Sequence, residues 1–290
     1  MSATTRAGVR RRRRLPLSVT VALAIVVLMV LAVILAPWIA PTDPTNVGSF
    51  NLLDAELPPA FMSGGDPRYL LGTDNQGRDL LSAILYGTRI SIVIGGCAVL
   101  VSASFGVVLG LLAGYLGGVV DSVIMRVGDV LLSLPTILLA LLVAGIARAI
   151  SPAAATAQWA PIILIAAIAS NEWVQYARTV RASTLVEAAK DYVRATRVIG
   201  LPPGRIMRRH ILPNVMSPVM VIATINLAGA VLTEATLSFL GVGMPPTYPS
   251  LGTLIRIGNE YVFSGDWWIA TIPAIVLVVL VLAVNIVGDW

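Results

Sequence analysis

Six long apolar runs divide this sequence of 290 residues. Each run has about 18 or more residues, the length that an α-helix needs to cross the hydrocarbon core of a bilayer. The sequence therefore predicts an all-α polytopic membrane protein with six transmembrane helices. The predicted spans are residues 17–39, 90–116, 127–150, 159–177, 215–240 and 268–288.

The composition agrees with a membrane protein and excludes other classes. The chain is 57% hydrophobic and 12% charged, whereas a soluble domain is normally about a quarter charged. Disordered, collagen-like and disulfide-scaffold proteins do not have this balance. The one cysteine, Cys97, allows no internal disulfide, and the one histidine, His210, argues against a haem or zinc site. We therefore expect no metal site in this chain.

The distribution of cations predicts how the spans are oriented. Residues 1–16 form a basic tail with five consecutive arginines at 10–14. With this tail inside the cell, most Lys and Arg residues fall on cytoplasmic segments, as the positive-inside rule requires. Both termini are therefore predicted to be cytoplasmic. Topology and a partner-docking loop then account for the net charge of +5, and no nucleic-acid partner is needed.

Three hydrophilic segments connect the predicted spans. Residues 40–89 form an extracytoplasmic segment rich in Pro, Gly and Asp, which we expect to be irregular with a short interfacial helix near residues 79–86. Residues 241–267 form a second outer loop. Residues 178–213 form a basic cytoplasmic loop. After the first transmembrane helix, residues 90–290 are thus predicted to be a five-helix core.

The cytoplasmic loop has an amphipathic pattern. At 100° per residue, residues 187–199 place their charged side chains within about 120°, which predicts a single amphipathic helix. Gly200 is expected to cap this helix, and Pro202 and Pro203 to stop it. A second short helix is predicted over residues 205–211, ending at Pro213. Such a protrusion fits either a surface of anionic lipid or a groove on a soluble partner. The charged residues are Glu187, Lys190, Asp191, Arg194 and Arg197.

This loop resembles the EAA loop of prokaryotic ABC-importer permeases. The resemblance rests on residues 173–181, 191–200 and 210–214. It implies a coupling helix that docks into a cleft on a cytosolic ATPase subunit and transmits the closure of that subunit to the membrane helices. Arg194 stands where the family often has Glu, and Thr196 where it has a second Ala. The residues carried over are Asp191, Tyr192, Arg194, Ala195, Thr196, Gly200, His210, Leu212 and Pro213.

Two outer motifs resemble the C-type permease subunit of dipeptide, oligopeptide and nickel importers. Residues 71–79, continued by residues 85–91, are similar to the signature at the second helix of that subunit. Residues 234–246, with Pro249, Ser250 and Gly252, are similar to its motif after the fifth helix, although Leu251 replaces the usual Trp. The residues singled out in the first motif are Gly72, Thr73, Asp74, Gly77, Arg78 and Asp79.

The charged residues of the first outer motif do not follow the 12-residue pattern of an EF-hand calcium loop. We expect them to form an Asp–Arg network that orders the outer segment. Glu172 and Glu234 lie within apolar runs, where a carboxylate is costly unless it faces the bundle or an interface. Both are candidate pore residues.

Two further patterns are expected to be structural. Asp121, Arg126 and Asp129 lie near an inner boundary and predict a capping and ion-pair cluster rather than a proton relay. Glycines recur at four-residue intervals over much of the second predicted helix, which favours close helix packing or a subunit interface over a ligand site. These glycines are Gly95, Gly106, Gly110, Gly114 and Gly118.

The sequence has no G-x-x-x-x-G-K-S/T phosphate loop and no constellation that supports acid/base or covalent catalysis. The resemblance therefore implies a non-catalytic transport subunit with the fold of an ABC type I importer permease. We expect no cofactor in this chain itself, because ATP and magnesium would be bound by partner subunits.

The implied function is uptake of di- or oligopeptides across a bacterial plasma membrane. The expected partners are a second permease in a heterodimer, two ATP-binding subunits, an extracytoplasmic substrate-binding protein and the surrounding lipid. Two alternatives stay open. One is a nickel or metal-chelate ABC permease, and the other is an ion-coupled secondary transporter that uses Glu172 or Glu234 as its proton site.

Overall fold

The computed structural model describes residues 16–46, 48, 50–150 and 158–290. The predicted basic tail therefore lies outside the described residues, except for Pro16. Every regular element in the described part of the chain is a helix. The α-helices are α1 (Leu17–Ile39), α2 (Leu80–Leu116), α3 (Gly118–Leu132), α4 (Thr136–Ile150), α5 (Ala160–Ala188), α6 (Asp191–Val198), α7 (Pro203–Ile206), α8 (Leu212–Phe239), α9 (Leu251–Asn259) and α10 (Trp268–Gly288).

Four helical stretches are long and apolar enough to cross a bilayer. They are α1, α2, the continuous stretch Pro203–Phe239 and α10, and the bent pair α3 and α4 makes a fifth if it counts as one span. Helix α5 has 29 residues, but polar side chains from Ser170 onward lower its hydropathy. The described residues thus give four or five apolar spans, and the count of six stays a prediction.

The structure contradicts the prediction of one continuous helix over residues 127–150. Helices α3 and α4 are bent by 96° relative to each other. The break falls at Ser133, Leu134 and Pro135. Proline has no backbone N–H and disfavours helical geometry in the residue before it, so an apolar run that contains Pro135 is interrupted there.

The second predicted span begins ten residues earlier than expected. Residues 79–86 do not form a separate interfacial helix, because α2 runs without interruption for 37 residues. The Asp79 carboxylate accepts a hydrogen bond from the Ser82 backbone N–H at 2.8 Å, which caps the helix at its first turn. The irregular part of the outer segment therefore ends at Asp79.

Glycines bring α2 into close contact with its neighbours. A Cβ atom on Gly106 or Gly110 would lie 2.5 Å from a backbone carbonyl oxygen of α5, and one on Gly95 would lie 2.7 Å from Val231 of α8. Gly114 is similarly close to Thr184. These contacts confirm the prediction of close helix packing. Gly118 instead is the first residue of α3, with a φ of +55° and open space around it.

The core lies where α2, α5 and α8 meet. Ala98, Leu164, Ile168 and Ala230 are fully buried in one cluster there. The predicted outer loop over residues 241–267 contains helix α9. Leu251 and Leu254 of α9 are fully buried in a second cluster with residues of α2, α8 and α10. Helix α9 therefore closes the outer end of the core.

Candidate functional site

The cytoplasmic loop is built from two helices that meet at a sharp corner. Helix α5 continues to Ala188, and α6 begins at Asp191 after an extended backbone at Lys190. The prediction of one amphipathic helix over residues 187–199 is therefore wrong, because Glu187 belongs to α5. An ion pair of 2.6 Å joins Lys190 Nζ to the Glu187 carboxylate across the corner.

Tyr192 joins three parts of this loop. Its hydroxyl group contacts the Glu187 carboxylate and lies 3.2 Å from the carbonyl oxygen of His210. Asn214 Nδ2 donates to the same hydroxyl at 3.1 Å. Hydrogen bonds from Lys190 and Tyr192 hold the pKa of the Glu187 carboxyl below its ordinary value. The end of α5, the start of α6 and the start of α8 are thus held together.

A buried apolar contact fixes α6 to the membrane helices. Val193 is fully buried, together with Ile206 and Ile211 of the following segment. These side chains form one cluster with Tyr176 of α5 and Val215 of α8. Displacement of α6 would therefore be transmitted to the inner ends of α5 and α8, because packed side chains resist separation.

The turn after α6 has the geometry expected from the sequence. Gly200 has a φ of +83°, and the Leu201 N–H donates to the Thr196 carbonyl at 3.1 Å, as in a Schellman cap. The expected second short helix does not end at Pro213. Residues 203–239 are continuous through a π-helical turn at Met207–Ile211. Pro213 is the second residue of α8, just after the π-helical turn.

The exposed surface of this loop combines apolar and cationic groups. Val198 and Ile199 are 88% and 75% exposed, although both are large aliphatic side chains. Arg194 and Ala195 are exposed on the same helix. In the segment after α6, Gly204, Arg205, Arg208 and Arg209 line a cavity of about 510 Å³.

Two ion pairs connect α3 with α5 near the predicted inner boundary. Arg178 Nη2 lies 2.6 Å from Asp129 Oδ1, and Arg181 Nη2 lies 2.6 Å from Asp121 Oδ2. The predicted ion-pair cluster of Asp121, Arg126 and Asp129 is therefore corrected in one respect. Both carboxylates pair with arginines of α5 rather than with Arg126, because α3 packs along α5.

The outer motif is a buried ion pair within a tight turn. Arg78 Nε donates to Asp74 Oδ2 at 2.9 Å, and both side chains are fully buried. The Asp74 carboxylate also accepts the backbone N–H groups of Gln76 and Arg78. Gly77 has a φ of +72°, and a Cβ atom there would lie 2.0 Å from the Asn51 carbonyl oxygen. Only glycine fits this position.

Further hydrogen bonds connect the outer motif to the rest of the outer face. Thr73 Oγ1 donates to the Asp54 carbonyl at 2.6 Å. Gly72 has a φ of +80° and packs against the backbone of residues 57–59. Arg78 Nη1 donates to the Pro246 carbonyl at 3.1 Å. The predicted Asp–Arg network is confirmed. In the described part of the chain, no three His, Cys, Asp or Glu residues are grouped as metal ligands.

The two glutamates predicted as pore candidates have different environments. Glu234 is fully buried, and its carboxylate accepts hydrogen bonds from Ser91 Oγ at 2.6 Å and Ser238 Oγ at 2.7 Å. Glu172 is partly exposed, and its Oε2 atom is buried with no hydrogen-bond partner among the described residues. Glu234 therefore serves the packing of α2 against α8, whereas Glu172 lacks a partner within this part of the chain.

Gln175 and Asn226 were not among the predicted site residues. Asn226 Nδ2 of α8 donates to Gln175 Oε1 of α5 at 3.1 Å. Both amides lie inside predicted apolar spans, which is a signal in itself, because polar side chains are costly at membrane depth. The role of Arg148 was also not predicted. Its guanidinium donates to the carbonyls of Gly241 and Gly243, each at 3.0 Å, and so connects α4 to the segment after α8.

Comparison with known families gives two matches along this chain. Residues 106–290 match the family described as "Binding-protein-dependent transport system inner membrane component". Residues 10–59 match "N-terminal TM domain of oligopeptide transport permease C".

Curated relatives are similar over most of the chain. The dipeptide transport system permease protein DppC of Haemophilus influenzae is 43% identical over 269 residues, covering 93% of this chain and 86% of the relative. DppC of Escherichia coli K12 is 41% identical over 272 residues, covering 93% and 85%. A di/tripeptide permease protein of Pseudomonas aeruginosa is 38% identical over 262 residues, covering 90% and 82%.

Two solved structures of the MetNI methionine ABC transporter, both described as inward facing, resemble this chain. The TM-scores are 0.53 and 0.52 at 22% and 24% identity, and each covers 72% of this chain and over nine-tenths of the solved chain. At this identity the likeness shows the fold, which is that of an ABC importer permease. By the match over residues 106–290 and the identity to the curated permeases, the chain belongs to the family of binding-protein-dependent transport system inner membrane components.

Proposed function

We propose that this chain is a membrane-spanning permease subunit of an ATP-driven importer of dipeptides and short oligopeptides. The observation that carries the proposal is the construction of the cytoplasmic loop. At the end of α6, the side chains of Val198 and Ile199 are exposed on the surface of the chain. Val193 and Tyr192 attach the same helix to α5 and α8. An exposed apolar patch on a short helix is suited to a groove on a partner protein. The names of the relatives support peptides as the solute.

The proposed assembly contains four kinds of subunit. This chain pairs with a second permease, and two ATP-binding subunits dock on the cytoplasmic side. ATP and magnesium are bound by those subunits, so the chain itself is not an enzyme. Both termini of the chain are cytoplasmic in this arrangement, and the protein lies in the inner membrane. An extracytoplasmic binding protein delivers the solute to the outer face.

The outer face suits such a delivery protein because it is ordered by contacts between segments. Arg78 joins the first outer segment to Pro246 of the second, and Asn75 Nδ2 donates to the Tyr261 hydroxyl at 3.2 Å. Trp268 Nε1 at the start of α10 donates to the Thr73 carbonyl. A surface held in place by these contacts loses little conformational entropy when a partner docks on it.

The proposed mechanism is mechanical coupling. Closure of the ATPase subunits displaces α6, and the Tyr192 contacts and the Val193 cluster pass this displacement to α5 and α8. The ion pairs of Arg178 and Arg181 extend it to α3. The glycine contacts of α2 make that helix move with α5. A solute path between the two permeases then opens alternately to each side of the membrane, because the solute contacts differ in the two states.

The experiment that tests this proposal is reconstitution of the complete transporter in proteoliposomes. ATP hydrolysis is measured with the cognate binding protein and a panel of dipeptides, longer peptides and a nickel chelate. We expect peptides to stimulate hydrolysis and to accumulate inside. Stimulation by the nickel chelate alone would contradict the peptide assignment. Peptide uptake by this chain alone, driven by an ion gradient, would contradict the ABC assignment.

A further inference from the structure

Three polar side chains of α5 and α8 are at least partly exposed on the surface of the chain within predicted membrane spans. Gln175 is exposed, and Glu172 and Asn226 are partly exposed. All three lie within the predicted spans 159–177 and 215–240. A polar side chain at this depth is costly against lipid, so it faces water or another protein subunit.

The amides of Gln175 and Asn226 form a bridge between the two helices. Asn226 Nδ2 donates to Gln175 Oε1 at 3.1 Å. Glu172 lies one helical turn before Gln175, on the same side of α5. The Oε2 atom of Glu172 is buried and has no partner among the described residues. A carboxylate oxygen left in this condition favours a donor that comes from outside the chain.

The polar side chains Glu172 and Gln175 occupy only the cytoplasmic half of the exposed face of α5. Toward the outer side, the exposed residues of α5 are Ile162 and Ala166, both apolar. Toward the inner side, the next exposed residue of α5 is Arg178, which pairs with Asp129. A polar surface that opens toward the cytoplasmic side in this way is suited to a water-filled path.

An apolar surface of the same protein looks different. The groove between α1 and α10 has a volume of about 510 Å³ and is lined almost entirely by aliphatic side chains, among them Val21, Ile25 and Leu282. The surface at Glu172, Gln175 and Asn226 carries a carboxylate and two amides instead. We therefore assign the aliphatic groove to lipid and the polar surface to water or another subunit.

We propose that Glu172, Gln175 and Asn226 form a substrate-contact site on the translocation path. The Glu172 carboxylate receives the protonated amino terminus of a peptide, and the two amides hydrogen-bond to its peptide groups. The ligand class is thus a peptide with a free, protonated amino group. This inference rests on the proposed function and specifies which face of the chain meets the solute.

Cysteine labelling tests whether this face is aqueous. The native Cys97 is first replaced by Ala, and Glu172→Cys, Gln175→Cys and Asn226→Cys are each made in the complete transporter. The probe is a membrane-impermeant, cationic methanethiosulfonate. We expect the cysteines at 175 and 226 to react at least about tenfold faster than the matched control Leu282→Cys, because only a hydrated thiol ionises readily. A millimolar dipeptide should slow the reaction.

Two labelling results would overturn the inference. If the cysteines at 172, 175 and 226 react as slowly as the one at 282, this face packs against the second permease. If they react but a dipeptide gives no protection, the face is wet without being a solute site. Gln175→Cys keeps the test decisive even if Glu172→Cys fails to fold, because Gln175 is exposed.

A second experiment tests the charge at Glu172. Glu172→Gln should lower peptide uptake by about tenfold or more through a raised KM for the loaded binding protein, while Glu172→Asp restores part of it, because a charge-assisted hydrogen bond is worth that much. Equal uptake by Glu172→Gln and the unaltered transporter would overturn the assignment. Absence of peptide uptake by the unaltered transporter would instead contradict the proposed function.

Discussion

The Arg78 guanidinium lies 2.9 Å from the Asp74 carboxylate, and neither side chain has any exposed surface. The same guanidinium donates to Gln76 Oε1 and to the Pro246 carbonyl, and it stacks over the Phe50 ring with 5.2 Å between Cζ and the ring centroid. A buried carboxylate that loses its cationic partner is strongly destabilising. This pair therefore holds the outer face of the permease together.

Replacing Arg78 by Ala should destabilise the protein by about 3–5 kcal/mol, because Asp74 would stay buried without its counter-ion. The measurement is thermal unfolding of the purified protein in detergent. Arg68→Ala is the matched control, since Arg68 pairs with Asp66 on the surface, where water and salt screen the attraction. Equal losses in the two variants would contradict a structural role for the buried pair.

Gly110→Ala should destabilise the packing of α2 against α5 by about 1–3 kcal/mol, because the new Cβ atom must displace a backbone carbonyl. That Cβ would lie 2.5 Å from the Ala177 oxygen. Gly96→Ala on the same helix meets nothing within 4 Å and should gain up to about 1 kcal/mol of helix stability. Unfolding midpoints that move in the same direction for both variants would argue against the glycine contact.

Part of this fold could be predicted from the sequence. Helices α1 and α10 have the bounds of the first and last predicted spans, because each is an uninterrupted apolar run. The positions of Gly77 and Gly200 follow from backbone conformations that other residues rarely adopt. The pairing of Asp74 with Arg78 follows from their spacing in a turn rich in polar residues.

Other features depend on contacts that no local pattern contains. The 96° bend at Pro135 was missed because an apolar run averages over a single proline. Glu187 was assigned to the wrong helix, since the corner at Lys190 is stabilised by the ion pair and by Tyr192. The pairing of Gln175 with Asn226 joins residues far apart in the chain and arises only when α5 packs on α8.

The contacts of Glu187 predict a defined pH dependence. Lys190 and Tyr192 lower the pKa of this carboxyl from its ordinary value of 4.5. Their stabilising contribution is therefore fully present above the ordinary pKa and is lost as the pH falls through the lowered one. The difference in unfolding midpoint between the unaltered protein and Glu187→Gln should stay constant from about pH 8 to pH 5 and shrink in more acidic solution. A difference that changes between pH 8 and pH 5 would contradict this assignment.

The most direct test of the coupling account is to place a charge on the exposed apolar end of α6. Val198→Asp and Ile199→Asp alter side chains that are 88% and 75% exposed, so folding should be unaffected. We measure ATP hydrolysis stimulated by binding protein and peptide in the reconstituted transporter, and co-purification of the ATP-binding subunits, for which Leu53→Asp in the outer segment is a control variant of comparable exposure.

The account predicts that either substitution on α6 lowers the stimulated hydrolysis by at least about tenfold, as the loss of a central apolar anchor does at other interfaces. The ATP-binding subunits should also co-purify less with these variants than with Leu53→Asp. Stimulated hydrolysis at the unaltered level in both α6 variants, with the ATP-binding subunits still attached, would contradict the coupling role of this helix.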